Sequence, residues 1–237
     1  MRTIEQRFGK WYNILKDEFD KDYFKQIAAK VSKRRKEIEV FPISDKVFRA
    51  FELTDPDKVL HVWIAPEPYN NWSAWSDKPQ ADGLCMSTDS SDRTPMPLFK
   101  IQHAIEQDCY EGFKLNKEND LEFLAKRQNV LLINCSLTVE KNKTNSHQGI
   151  GWEEFNKVVL QHLLDKSYPI SFITFGVPAK KLLNECTISE HHLIFNLEHP
   201  SIASIESREL NHQNAFSKTN EFLEKHYGKA STIKWML

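Results

Sequence analysis

Three short stretches of this chain end apolar runs on residues that can do chemistry. Ala65-Pro66-Glu67-Pro68-Tyr69-Asn70 closes one run, His199-Pro200-Ser201 closes another, and Asn134 ends a third between them. A carboxylate such as Glu67 organises water, an amide such as Asn134 reads the edge of a pyrimidine, and a histidine such as His199 stabilises a departing anion. Together these three strand ends outline a pocket able to hold a base turned out of its stack. Taken singly each has a plainer meaning: a solvated glutamate, a structural asparagine, a satisfied core or surface histidine.

The elements that must position these residues follow from the hydrophobic pattern. Val59 to Ala65, Val130 to Asn134, Ile170 to Gly176 and His192 to His199 read as strands, and Leu98 to Tyr110, Trp152 to Lys166, Pro178 to Glu185 and Asn214 to Tyr227 as helices. The first forty residues read as two amphipathic helices, with Phe8, Trp11, Tyr12, Leu15 and Phe19 on one stripe and Tyr23, Phe24, Ile27 and Val31 on the next. Strands alternating with helices give an α/β fold: one three-layer α/β/α domain over residues 1–237 around a central, mainly parallel four-stranded sheet. Ligands of such sheets gather beyond the carboxyl ends of the strands, where Glu67, Asn134, Gly176 and His199 all fall. The stretch from Pro66 to Pro97 is long for a loop, and its Gly83-Leu84-Cys85 run with Trp72 and Trp75 reads as ordered and functional.

Composition narrows the setting. A chain of 237 residues with 40% hydrophobic content can bury one sizeable core. No apolar segment follows Met1 or is long enough to span a bilayer, so a soluble, cytoplasmic protein without a membrane partner is expected. Cys85, Cys109, Cys135 and Cys186 are scattered without ligand spacing, which predicts neither disulfides nor a metal centre. The net charge of −1 exerts no overall pull on nucleic acid. Lys33-Arg34-Arg35-Lys36 is the one dense basic run and reads as a solvated helix face.

From Val59 onward the chain resembles the family-1 uracil-DNA glycosylases. The resemblance is carried by Leu131-Leu132-Ile133-Asn134-Cys135-Ser136-Leu137-Thr138-Val139, by Asn145-Ser146-His147-Gln148-Gly149-Ile150-Gly151-Trp152-Glu153, by His199-Pro200-Ser201, by Phe216-Ser217-Lys218-Thr219-Asn220 and by Ile233-Lys234-Trp235, in the family's order. It implies a single α/β/α domain and a monomeric enzyme that flips a nucleotide out of DNA without metal or other cofactor. It implies that Glu67 and His199 are catalytic, and that Tyr69, Asn70, Met86 and Asn134 meet the base. DNA contacts fall to Pro97, Gly176, Ser201, Ile202, Ala203 and Ser204.

The departures are as informative. Ala65-Pro66-Glu67-Pro68-Tyr69-Asn70 stands where the family has Gly-Gln-Asp-Pro-Tyr-His, so the carboxylate is kept one methylene longer. Met86 replaces the stacking phenylalanine and reads either as an adaptable platform or as core filler. The segment between Tyr69 and Gly83 is longer than the family's, and its Trp72 and Trp75 either line a subsite or anchor the loop. Pro97 and Val177 replace phosphate-pinching serines, and Ala203 is too small for the leucine wedge, so that either Ile202 substitutes for it or the wedge is absent. Asn134 can serve uracil or, with its amide turned over, cytosine. Three functions follow as expectations: excision of a bulky 5-modified cytosine such as glycosylated 5-hydroxymethylcytosine in phage DNA as an antiphage defence, excision of uracil in repair, and a noncatalytic DNA-binding module.

Overall fold

A computed structural model describes residues 2–74, 76–90, 93–112, 118–201 and 209–235. In chain order its helices are α1 Ile4–Phe8, α2 Tyr12–Leu15, α3 Asp22–Glu37, α4 Arg49–Leu53, α5 Met96–Cys109, α6 Glu122–Gln128, α7 Trp152–Leu164, α8 Val177–Asn184 and α9 Ala215–Tyr227. Its strands are β1 Val40–Phe41, β2 His61–Ala65, β3 Val130–Asn134, β4 Val139–Glu140, β5 Ser171–Phe175 and β6 Leu193–Leu197. The four expected strands make one sheet in the order β3-β2-β5-β6 with every neighbouring pair parallel, flanked by helices. β2, β3 and β5 are buried at every position, which is why they read as unbroken apolar runs, while the edge strand β6 is only partly covered.

Trp63 of β2 stacks on Trp235 with ring centroids 5.9 Å apart and meets Phe175 and Phe216 edge-on, which ties α9 and the C-terminal segment to the sheet. A second aromatic cluster joins Phe8, Phe51 and Phe155, linking α1, α4 and α7. Phe8, Trp11 and Leu15 are fully buried as their stripe predicts, but the first expected helix is interrupted. Gly9, at φ +52°, ends α1 and a 3₁₀ turn carries the chain into α2. Expected elements recur to within a few residues at their ends. Sequence periodicity gave no sign of α4, α6 or the two-residue pair β1–β4, which are too short to show a period.

The basic run differs from its expectation. Arg34 ion-pairs with Glu140 at 2.5 Å and also with Glu37, and Arg35 donates to the carbonyls of Val40 and Pro42 at 2.6 Å. Two of its four cations therefore bind the protein itself, fastening α3 to the small β1–β4 sheet. No described helix is long and apolar enough to cross a membrane.

Candidate active site

The backbone ladder between β2 and β3 continues past the strand ends. Cys135 N–H donates to Ala65 O at 2.7 Å and Ser136 N–H to Pro66 O at 3.0 Å, so the segment leading to Glu67 is pinned beside Asn134, itself in register with Ala65. Glu67 Oε2 accepts a 2.7 Å hydrogen bond from the backbone N–H of Asn145. Burial lifts the Glu67 carboxyl above its ordinary range, and this N–H works against the rise. Asn70 ties the same two loops again: its amide donates to Thr144 Oγ1 at 3.1 Å and its carbonyl accepts from Asn142 N–H at 2.8 Å.

His199 lies two residues past β6. The Ser201 N–H donates to His199 Nδ1 at 3.3 Å and Ser201 Oγ stands 2.6 Å from the same nitrogen. An Nδ1 that accepts leaves the proton on Nε2, so the ring is a neutral hydrogen-bond donor, and burial lowers its affinity for a second proton. Gly176, at φ +87°, follows β5 and lets His199 approach.

Met86 is buried, with φ +61°, in a turn held from beneath. The fully buried Asp82 carboxylate accepts from Leu84 N–H at 3.0 Å and from Ser87 Oγ–H at 2.6 Å, and Arg49 Nη1 stands 2.9 Å from its Oδ2. Burial pushes the Asp82 carboxyl up to about 6, with the Arg49 charge opposing it. A side chain at Gly83 would collide with the Lys46 carbonyl, 2.0 Å from where it would begin. The Tyr69 hydroxyl donates to Met86 O at 3.1 Å, locking the tyrosine to this turn.

These pieces surround a cleft of about 400 Å³, in the range of small-molecule sites. Of the residues expected at the site, Glu67, Tyr69, Asn70, Met86, Pro97, Gly176, His199 and Ser201 line it. Asn134 does not reach its surface: it is 3% exposed, and its buried Oδ1 has no hydrogen-bond partner among the described residues. Trp72 also stands outside the cleft lining, contrary to the subsite reading. The insertion folds back on itself, with Ser73 N–H donating to Lys78 O at 2.8 Å, Gln80 N–H to Asn71 O at 3.0 Å, and Trp72 bridging to Pro79. The Trp72 indole donates to Glu39 at 2.9 Å and packs edge-on against Phe41, so it anchors the insertion to the β1 region. Asn71 and Gln80, at the base of the insertion, line the cleft instead. Trp75, Ile202, Ala203 and Ser204 lie outside the described residues.

Sequence reasoning missed five residues. Asn145 sits inside a quoted motif, yet its backbone, not its side chain, holds Glu67. The Arg49–Asp82 pair and the two amides of the insertion left no local signal, because each acts through a fold-dependent contact. Among the described residues no group of three or more His, Cys, Asp or Glu side chains could hold a metal ion.

No family model matches the chain. The uracil-DNA glycosylase of Azobacteroides pseudotrichonymphae is 33% identical over 215 residues, which span 91% of this chain and 93% of that protein. That of Alkaliphilus oremlandii is 36% identical over 219 residues, 90% of each. The crystal structure of mimivirus uracil-DNA glycosylase superposes with a TM-score of 0.81 over 92% of this chain and 83% of that one, at 24% identity, a likeness of fold. Related to the Azobacteroides and Alkaliphilus proteins at 33% and 36% identity over nine-tenths of their length, the chain belongs to the uracil-DNA glycosylase family and is a DNA glycosylase, a hydrolase of N-glycosidic bonds.

Proposed function

We propose that this enzyme excises a pyrimidine larger than uracil, of the class of 5-substituted cytosines such as glycosylated 5-hydroxymethylcytosine in phage DNA, and that it serves antiphage defence. The observation that carries this reading is the insertion after Tyr69, whose base residues Asn71 and Gln80 line the same cleft as the tyrosine. In the family that tyrosine faces C5 of the base. Amides there suit a hydroxylated substituent, since they both donate and accept hydrogen bonds. Met86 in place of a rigid ring supports the same reading, because a flexible thioether accommodates an irregular base.

In the chemistry proposed, the bond from the sugar C1′ to the base breaks and its electron pair leaves with the base. The Nε2–H of His199 donates to the base oxygen where that charge collects. Glu67 offsets the positive charge on the sugar and accepts a proton from the water whose oxygen bonds to C1′. Asn134, covered behind the cleft wall, reads the base edge only where the flipped base reaches past that wall, its partnerless Oδ1 then accepting from an exocyclic amine. As written, the reaction uses no metal or nucleotide cofactor.

Uracil is the second reading, favoured by the names of the relatives and by a Tyr69 held rigid by Met86 O. Oligonucleotides carrying uracil, 5-hydroxymethylcytosine or its glucosylated form, scored by strand cleavage at abasic sites, separate the two. Excision of the glucosylated base in preference to uracil is expected. Efficient uracil excision with the bulky bases untouched overturns the first reading in favour of repair.

A further inference from the structure

Glu67 is exposed to two cavities. Besides the cleft that holds His199 and Tyr69, a second cavity of about 240 Å³ adjoins it, and Pro66, Glu67, Asn145 and Pro178 belong to the walls of both. The second cavity has a mixed wall, with Ser136, Glu153 and Lys181 beside Cys135 and Leu182. Glu153 Oε1 accepts from Gly149 N–H at 2.9 Å, while its Oε2 is buried without a hydrogen-bond partner among the described residues. A buried carboxylate oxygen calls for a donor, and a cavity this large with several polar groups in its wall has room for several waters at about 30 Å³ each.

Hydrolysis consumes one water per turnover. A flipped nucleotide fills the first cleft with base and sugar, and the flanking DNA covers its mouth, so the nucleophile needs another approach to Glu67. We propose that the second cavity is that approach: water reaches the Glu67 carboxylate from the side away from DNA, and Glu153 is the positioning residue that holds it on the way. This inference rests on the catalytic role assigned to Glu67 above. It does not depend on which pyrimidine is excised.

Lys181 is exposed on α8 at the wall of the second cavity, so Lys181→Trp places a ring over that cavity without disturbing the core. Its exposed neighbour Lys180 is not part of the wall, and Lys180→Trp is the control. Lys181→Trp and Glu153→Gln are each expected to slow single-turnover excision about tenfold, the scale of a misplaced reactant. Binding of DNA containing an abasic-site analogue should stay as in the wild type, and Lys180→Trp should change neither. Methanol supplies a readout that a structural defect would not move. It competes with water at C1′ to give the methyl glycoside, and narrowing the route should lower the methanolysis fraction in Lys181→Trp. Wild-type rates and an unchanged methanol-to-water ratio in both variants overturn the route. If Glu67→Gln also retains wild-type excision, the catalytic reading of Glu67 falls; if Glu67→Gln is inactive while both route variants are normal, the route alone falls.

Discussion

A β-carbon placed on Gly176 would stand 3.0 Å from the β-carbon of His199, a tight contact that the histidine could relieve only by shifting a few tenths of an ångström. Gly176 also holds φ +87° and ψ 170°, a conformation essentially confined to glycine. Gly176→Ala should therefore cost about 1–3 kcal/mol of stability and displace the histidine. Excision should fall about tenfold to a hundredfold, in line with the cost of a small misplacement near reacting atoms. Single-turnover assays beside urea unfolding would check this. A destabilised variant with wild-type excision would show that the spacing serves packing alone.

Removing the two groups assigned to the chemistry should separate their roles from folding. Glu67→Gln keeps the side-chain volume and an oxygen able to accept from Asn145 N–H, but it deletes the charge. His199→Ala deletes the donor to the leaving base, a loss of about 10²–10³-fold in rate for one such group. Both variants should melt close to the wild type and bind DNA with an abasic-site analogue normally. Unchanged excision in either one would remove that residue from the mechanism.

Rate should depend on pH through Glu67 and not through His199. Burial raises the Glu67 carboxyl above the ordinary 4.5, and the anion is the working form. Excision should thus climb with rising pH through a midpoint above 4.5 and then level off. Burial lowers His199 from the ordinary 6.5, so the ring is already neutral at neutral pH and no loss should accompany its deprotonation. A rate that declines as pH rises through 6.5 would identify an imidazolium donor instead.

Arg49 and Asp82 make a different demand on pH. The fold raises Asp82 from 3.8 to about 6, so the native state holds this proton more tightly than the unfolded chain. Asp82 then contributes stability at acid pH that is lost as pH rises between those two values, and Asp82→Asn should flatten that slope in urea titrations. Arg49→Ala should destabilise at neutral pH by about 3–5 kcal/mol, because it leaves a buried charge without its partner. It should also loosen the Met86 turn, weakening base binding more than the chemical step. A variant as stable as the wild type would show that solvent or another cation replaces the guanidinium.

Selectivity should sit in the amides at the base of the insertion. Gln80→Ala should reduce excision of a glycosylated base more than that of an unsubstituted one, by roughly three- to tenfold, the worth of a hydrogen bond of about 1 kcal/mol. Trp72→Ala, which removes the anchor on Phe41 and Glu39, should instead lower the melting temperature and weaken both activities together. Equal effects of Gln80→Ala on both substrates would remove this residue from recognition.

What the sequence determined by itself was whatever repeats locally. A strand buried on both faces must be apolar at every position, so β2, β3 and β5 were legible as runs, and the residues just beyond them as strand ends. That was enough to locate Glu67, Asn134 and His199, and ordered motifs over most of the chain made the family readable. Tertiary structure alone decided the rest. The contact from Asn145 to Glu67 spans 78 residues of chain and runs through a backbone N–H, which any residue but proline supplies. The ion pair of Arg49 with Asp82 joins α4 to a loop, and nothing near either residue announces the other. Trp72 could equally have lined a subsite or anchored the insertion, since a tryptophan's apolar face and N–H suit both; the positions of Phe41 and Glu39 settled which. The second cavity beside Glu67 is bounded by residues from several distant segments, and a space between elements exists only once they have packed.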